Sequence, residues 1–234
     1  MTAADFVYFD LDDTLLDHKR AERYALSGMY RGLALTDELP LEQFLSTYHD
    51  VNVEVWRAYG AGELTKAEAR AVRFERLFGQ LGIDGHNAAA LGEEYLGRYG
   101  GFWDWLPGAR EAWHAVADLL PVGLITNGFA EVQRRKLNRF PDLPARASMI
   151  VISEEAGVMK PDRRIFDLAA ERAAFPPHRI LYVGDSLHSD VEGALAAGWQ
   201  AAWYRGHVAQ APDGVLVFDD WSALIGRLGQ SPSR

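Results

Sequence analysis

The first predicted strand reads Phe6-Val7-Tyr8-Phe9 and is followed at once by Asp10-Leu11-Asp12-Asp13-Thr14. A short apolar run bounded by polar residues is typical of a buried parallel strand, and open α/β sheets bind their ligands at the carboxyl ends of such strands. Asp10 and Asp12 would therefore lie where chemistry is usually done. Carboxylates this close together repel one another unless a cation or a shared proton relieves the repulsion. Taken alone, the stretch fits either a metal-assisted site or a solvated turn that starts a helix.

The rest of the chain largely alternates apolar strands with amphipathic helices. We predict strands at residues 121–125, 148–152, 179–183, 200–203 and 215–218, and helices at 106–118, 130–139, 162–173, 190–197 and 221–228. Strands that alternate with helices of this length form right-handed βαβ units and a parallel sheet covered on both faces. The predicted fold class is therefore α/β, with a doubly wound parallel sheet.

A long helical stretch interrupts this alternation between residues 17 and 100. No convincing strand is found there, and apolar residues recur at helical spacing over 20–33, 41–59, 65–78 and 87–99. We therefore predict a helical cap at 17–100, inserted into an α/β core formed by 1–16 and 101–234. Because the insertion directly follows the acidic end of the first strand, we expect the cap to overhang that site.

The composition excludes several classes of function. The 234 residues include no cysteine, which rules out disulfides, thiolate catalysis and cysteine-based zinc sites. A net charge of −9 disfavours binding to nucleic-acid polymers, and it means that an anionic substrate would need local positive charge. The first residues show neither a basic segment nor a long apolar run, so we expect no secretion signal, no membrane span and a cytoplasmic location.

Polar residues also follow three of the other predicted strands. Thr126-Asn127-Gly128 ends the second strand before a helix, an arrangement that suits a phosphate cradle but is also common in ordinary capped turns. Lys160 beside Pro161 suits a charge that meets an oxyanion, although most lone lysines are solvated. Asp185 and Asp190 follow the fourth strand, and Asp190 could simply start a helix.

A parallel sheet brings the ends of all four strands to one edge. Together they supply several carboxylates, a lysine, a hydroxyl and a glycine-lined turn. Mg²⁺ takes oxygen ligands and usually shares them with a substrate phosphate. The combined set therefore predicts a Mg²⁺-assisted site for a phosphorylated substrate, in which the cation neutralises acids that would otherwise repel that substrate.

The order and type of these residues resemble the motifs of the haloacid dehalogenase superfamily, and specifically of its phosphohydrolases. The matching segments are Asp10-Leu11-Asp12-Asp13-Thr14, Thr126, Lys160 and Gly184-Asp185 with Asp190. The resemblance covers nearly the whole chain. It implies a Rossmann-like core with the family's helical cap inserted after the first motif.

The resemblance also implies roles for the acidic residues. Asp10 would be the nucleophile that becomes an aspartyl-phosphate, and Asp12 the general acid that protonates the leaving oxygen and later activates water. Mg²⁺ would be held by the Asp10 carboxylate, the Asp12 backbone carbonyl and Asp185. Dehalogenases lack the second carboxylate of the first motif, so the presence of Asp12 favours phosphate over halide chemistry.

The remaining motif residues are implied to bind the transferring phosphoryl group. Thr126 and Lys160 would contact it with their side chains and would count among the catalytic residues. The backbone amides around Asn127 and Gly128 would add further donors. Asp190 would support the site by orienting Lys160 or a metal-bound water.

Longer segments resemble one branch of the superfamily, that of the pyrimidine nucleoside 5′-monophosphate phosphatases. They are residues 124–129, 151–162 and 183–190, together with 56–62 and 70–78 in the helical stretch. The expected partner is a small phosphorylated metabolite, with a nucleoside 5′-monophosphate as the first expectation and neither a nucleic-acid polymer nor a membrane as a partner. We expect a monomer or a small homo-oligomer. The alternatives are a sugar phosphatase, a phosphoglycolate-type phosphatase, a phosphomutase, or a binding protein on a retired phosphatase fold.

Overall fold

The computed structural model describes residues 4–33 and 39–229. Within them, the chain divides into two compact units. Unit 1 contains the residues up to Asp17 and those from Asp104 onwards, and unit 2 contains His18–Trp103.

The strands and helices follow one another along the chain. The strands are β1 (Phe6–Phe9), β2 (Val122–Thr126), β3 (Ala147–Ile152), β4 (Ile180–Gly184), β5 (Gln200–Tyr204) and β6 (Leu216–Phe218). The α-helices are α1 (His18–Gly32), α2 (Leu41–Gly60), α3 (Lys66–Leu81), α4 (Ala88–Tyr99), α5 (Ala109–Leu119), α6 (Ala130–Arg139), α7 (Asp142–Arg146), α8 (Ser153–Ala156), α9 (Arg163–Ala173), α10 (Gly193–Ala196) and α11 (Trp221–Gly229). None of these helices is both long enough and apolar enough to cross a membrane, as far as the described residues extend.

The six strands form one parallel sheet in unit 1. Their order is β3-β2-β1-β4-β5-β6, so the chain winds outward from β1 in one direction and then in the other. The order reverses between β1 and β4, and the crevice at such a switch point is where open α/β sheets bind ligands. The predicted α/β fold with a parallel sheet is confirmed.

The central strands lie in the core of unit 1. Every residue of β1, β2 and β4 is buried, as expected for strands covered on both faces. Tyr8 lies opposite Gly123 in the register, and a Cβ at position 123 would overlap the tyrosine ring. The Tyr8 hydroxyl donates to the carbonyl of Ala169 in α9 at 2.9 Å, which ties the sheet to a covering helix.

Unit 2 contains α1 to α4, and no strand occurs among its described residues. The helix α3 begins at a capping box, in which the Thr65 hydroxyl accepts from the Glu68 N–H and the Glu68 carboxylate accepts from the Thr65 N–H. Tyr48, Phe74 and Tyr95 pack their rings 5.6–5.8 Å apart at the buried centre of the unit. Unit 2 therefore has an aromatic core of its own.

One helix of unit 1 begins earlier than the sequence pattern predicts. The predicted helix at 190–197 starts with a π-helix at Leu187–Glu192 and continues as α10. Ser186 is the N-cap, because its hydroxyl accepts from the Ser189 N–H at 3.2 Å. Asp190 therefore lies inside the helix, and the reading of Asp190 as a helix start is wrong.

Candidate active site at the carboxyl edge of the sheet

Three neighbouring strands end in residues of the predicted site. Asp10 follows β1, Thr126 is the last residue of β2, and Asp185 follows β4. Lys160 lies in the loop between α8 and α9. The chain leaves strand geometry after β1, and Asp13 has a φ of 61°, in the left-handed region that Asp adopts more readily than most residues. The three strand ends and the Lys160 loop lie together at one edge of the sheet, and we call this region the candidate active site.

Lys160 is a buried cation of the candidate active site. Its Nζ donates to Asp10 Oδ1 at 2.6 Å, to Asp190 Oδ1 at 2.7 Å and to the Tyr182 hydroxyl at 2.7 Å. These three acceptors match the three protons of an ammonium group. The Tyr182 hydroxyl itself donates to the Ile125 carbonyl at 2.9 Å, so its oxygen is available to accept from Lys160. The lysine is therefore held at a fixed point between two carboxylates.

Negative charge exceeds positive charge in this cluster. Carboxylate oxygens of Asp10, Asp185 and Asp190 all lie within 4.8 Å of one another, and Lys160 is bonded to two of these residues. Burial raises the pKa of Asp10 well above its usual range; Lys160 opposes this rise, whereas Asp190 and Asp185 add to it. Burial by itself would lower the pKa of Lys160, but Asp10 and Asp190 raise it overall. A further cation nearby would therefore favour the ionised form of Asp10.

The oxygen atoms of the cluster fit a hard divalent cation. Both carboxylate oxygens of Asp190 already accept hydrogen bonds within the protein: Oδ1 accepts from Lys160, and Oδ2 accepts from the Ser186 N–H at 3.0 Å. Asp185 Oδ1 accepts from the buried Thr14 hydroxyl at 3.4 Å, a contact that links it to the turn after β1. Asp10 and Asp185 each follow a central strand and offer carboxylate oxygens, which are what Mg²⁺ prefers.

The turn after β2 is fastened to the loop that carries Lys160. The Asn127 side chain makes two hydrogen bonds to the Lys160 backbone: Nδ2 donates to the carbonyl and Oδ1 accepts from the N–H, both at 2.9 Å. The Gly128 N–H donates to the Ser153 hydroxyl at 3.0 Å, so a phosphate that used this N–H would have to displace that hydroxyl. The Asn127 side chain thus holds Lys160 in place, which the sequence motifs do not predict.

The carboxylate of Asp12 contacts helix α6. Its Oδ1 and Oδ2 accept from Lys136 Nζ at 2.6 and 2.7 Å, and Oδ2 also accepts from Gln133 Nε2 at 3.1 Å. The sequence motifs predict neither partner. A signal is nevertheless present, since the buried face of α6 consists of Val132, Gln133, Lys136 and Leu137, with polar residues where an amphipathic helix usually carries apolar ones.

Gly184 leaves the space that Asp190 occupies against β4. A Cβ at position 184 would overlap the Asp190 carboxylate. We expect Gly184→Ala to displace Asp190 from Lys160, to lower the free energy of unfolding by about 1–3 kcal/mol, and to reduce turnover on the order of 10²-fold. Urea denaturation and phosphate-release kinetics measure these two effects.

Gly226→Ala is the matched control for that variant. Gly226 lies inside α11, and a Cβ there would meet no atom within 4 Å. Because alanine is favoured over glycine in a helix by roughly 0.5–1 kcal/mol, this variant should be at least as stable as the wild type, with unchanged turnover. Similar losses in the two variants would contradict the role of Gly184.

The chain is similar to known hydrolases over most of its length. The family model for haloacid dehalogenase-like hydrolases matches residues 5–198. The chain is 32% identical over 212 residues to the pyrimidine 5′-nucleotidase YjjG of Escherichia coli (strain K12), and the match covers 90% of each protein. It is 29% identical over 206 residues to the pyrimidine 5′-nucleotidase PynA of Streptococcus pneumoniae, over 86% of this chain and 84% of that protein.

The fold is also similar to that of a solved structure. YfnB, a HAD-hydrolase from Bacillus subtilis, has a crystal structure with bound magnesium, and it matches with a TM-score of 0.85 and 25% sequence identity. The match covers 97% of this chain and 100% of that chain.

Proposed function

This chain belongs to the haloacid dehalogenase-like hydrolases, and from that premise we propose that it is a Mg²⁺-dependent phosphomonoesterase working through an aspartyl-phosphate on Asp10. The observation that carries the proposal is the buried contact between Asp10 and Lys160, beside Asp185, at the switch point of the sheet. A carboxylate held next to a fixed cation suits attack on a phosphorus atom whose oxygens the same cation can bind.

The two carboxylates after β1 divide the reaction between them. In the first step, an oxygen of Asp10 bonds to phosphorus, the bond from phosphorus to the leaving oxygen breaks, and Asp12 gives that oxygen a proton. In the second step, water attacks phosphorus and Asp12 takes a proton from it. The bond between phosphorus and Asp10 then breaks, which releases inorganic phosphate and restores both carboxyl groups.

The residues assigned to bind the phosphoryl group lie at the carboxyl end of β2 and in the loop that carries Lys160. The Thr126 hydroxyl, the amides around Asn127 and Gly128, and the Lys160 ammonium would contact its oxygens. Asp190 would hold Lys160 in place through the 2.7 Å contact between Oδ1 and Nζ.

Mg²⁺ would be bound by Asp10, Asp185 and the backbone carbonyl of Asp12. When bound, it would neutralise the excess carboxylate charge and polarise a phosphate oxygen. The close approach of carboxylate oxygens from Asp10 and Asp185 supports this assignment.

We assign a nucleoside 5′-monophosphate as the substrate and unit 2 as the inserted helical cap. Support comes from YjjG and PynA, both pyrimidine 5′-nucleotidases. Sugar phosphates and phosphoglycolate remain the competing substrates, because a phosphatase for either would use the same motif residues. A binding protein without catalysis is disfavoured, because every predicted catalytic position carries a residue of the required type. The cytoplasmic location stays a prediction.

The test is a measurement of phosphate release by the purified protein over a panel of substrates. The panel includes pyrimidine and purine nucleoside 5′-monophosphates, uridine 3′-monophosphate as the positional control, sugar phosphates, phosphoglycolate and p-nitrophenyl phosphate. We expect the highest kcat/KM for a pyrimidine 5′-monophosphate, loss of activity with a chelator, and recovery when Mg²⁺ is added back in excess.

The outcomes separate the parts of the proposal. A folded protein that releases phosphate from no member of the panel would contradict phosphatase activity. A clear preference for sugar phosphates or phosphoglycolate would contradict the nucleotide assignment alone. Full activity after metal removal, checked by elemental analysis, would contradict the Mg²⁺ requirement.

A further inference from the structure

Two buried side chains of α6 contact Asp12, and we propose that Lys136 and Gln133 are positioning residues that hold its carboxylate for proton transfer at the leaving oxygen. The proposal rests on the function proposed above, in which Asp12 is the general acid and base. It adds that Asp12, which follows β1, depends on two side chains of helix α6 for its position.

Lys136 is buried more fully than is usual for a lysine, and this burial needs an explanation. Its side chain is 2% exposed, whereas the Asp12 side chain is 23% exposed. Lysine is almost never buried this fully unless it is paired, because removing an ammonium group from water is costly. Asp12, with its partial access to water, could be solvated without a lysine. The ammonium group bonds to both oxygens of Asp12, and this two-point contact restricts rotation of the carboxylate.

Gln133 connects Asp12 to the turn that is proposed to bind phosphate. Its Nε2 lies 3.1 Å from Asp12 Oδ2, 2.5 Å from Thr126 Oγ1 and 3.3 Å from the Asn127 carbonyl oxygen. The Asn127 backbone carbonyl can only accept, so a donor nitrogen is required at this position. One amide group therefore spans the distance between the proposed phosphate-binding hydroxyl and the proposed acid.

The turn leaves room for this amide. A Cβ at Gly128 would lie 2.9 Å from Cδ of Gln133, which is closer than real Cβ atoms approach other heavy atoms. Gln133 and Lys136 are three residues apart on α6 and therefore project from the same face of a rigid helix. This helix begins two residues after Gly128, so the support and the turn belong to one continuous segment.

The position of an acid matters most for substrates whose leaving group needs a proton. An alkoxide, such as the 5′-oxygen of a nucleoside, is a poor leaving group without protonation, whereas p-nitrophenolate leaves readily as an anion. General acid catalysis typically contributes about 10²–10⁴-fold to the rate. A displaced Asp12 should therefore affect alkyl phosphates far more than p-nitrophenyl phosphate.

The experiment compares kcat/KM of Lys136→Met on two substrates, because this constant reports the steps up to loss of the leaving group. We expect a loss on the order of 10²-fold for the best alkyl phosphate of the panel, and a loss below about tenfold for p-nitrophenyl phosphate. Gln133→Leu should show the same selectivity with a smaller loss. Lys136→Arg, which keeps a cation and several donors, should recover part of the alkyl phosphate activity.

Two further comparisons test whether the effect acts through Asp12. Arg139→Met removes an exposed cation from the same helix and should leave both kcat/KM values unchanged. In an Asp12→Asn background, Lys136→Met should cause little additional loss, because residues that act through one group are not additive.

The experiment distinguishes failure of the proposed function from failure of the positioning role. A wild-type protein without phosphatase activity would contradict the proposed function itself. An active wild-type protein with equal losses on both substrates in Lys136→Met, or with no loss on either, would overturn the positioning role. A full additional loss in the Asp12→Asn background would overturn it as well, since Lys136 would then act by another route.

Discussion

Asp10→Asn is expected to lower phosphate release on the order of 10⁴-fold or more, without destabilising the protein. The amide oxygen can still accept from Lys160, so the contact between positions 10 and 160 can survive. An amide cannot displace the leaving oxygen to form the aspartyl-phosphate, however. Because Asp10, Asp185 and Asp190 crowd their oxygens within 4.8 Å, removing one charge should also reduce repulsion in the metal-free protein.

Two measurements check this prediction. Phosphate-release assays give the loss of turnover, and urea denaturation in a chelator gives the free energy of unfolding, which should be equal to or greater than that of the wild type. Asp13→Asn is the matched control, because it makes the same chemical change three residues further on, at a position with no proposed part in the reaction. Turnover that survives in Asp10→Asn would exclude Asp10 as the nucleophile.

Lys160→Met should reduce both activity and stability. Methionine fills a similar volume but leaves Asp10 and Asp190 buried without the cation that bonds to both. Removing one partner from a buried ion pair typically costs about 3–5 kcal/mol. Loss of a donor to the transferring phosphoryl group should lower turnover on the order of 10²–10³-fold.

The loss of stability in Lys160→Met should depend on the buried acids that no longer have a cation beside them. In urea denaturation without metal, the double variant Lys160→Met with Asp190→Asn is expected to be more stable than Lys160→Met alone, because one unpaired buried charge is gone. Lys19→Met, at an exposed lysine, should stay within about 0.5 kcal/mol of the wild type. If Lys160→Met matches this control in stability, Lys160 does not hold the acids together.

The parallel sheet and the strand ends of the candidate active site could be predicted from the sequence for a physical reason. A buried parallel strand is a continuous apolar run, and the residue that follows it is placed by the sheet itself. Asp10 after β1 and Asp185 after β4 therefore lie close together even though they are far apart in the chain. The sequence predicts Lys160, beside Pro161, as a charge that meets an oxyanion, whereas its three acceptors are visible only in the structure.

Helix faces were harder to interpret than strand ends. Gln133 and Lys136 occur in a segment with many charged residues, where a lysine is normally solvated, and helical periodicity predicts the helix but not which polar residues it buries. Helical periodicity does not predict the π-helix, because a turn with i→i+5 hydrogen bonds has no distinctive apolar spacing. The buried face of α6 and the π-helix both depend on contacts with other elements, and a local sequence pattern does not contain those contacts.

The paired hydrogen bonds between the Asn127 side chain and the Lys160 backbone have a consequence for transferring this site to another protein. The amide fastens the turn after β2 to a loop that lies beyond both β3 and α8, so the backbone of the lysine is held by the end of a strand that it does not follow. A designer who grafts the acids and the lysine onto a new α/β scaffold would copy their identities but not these two bonds. Such a graft has to transplant both segments together with the asparagine that joins them.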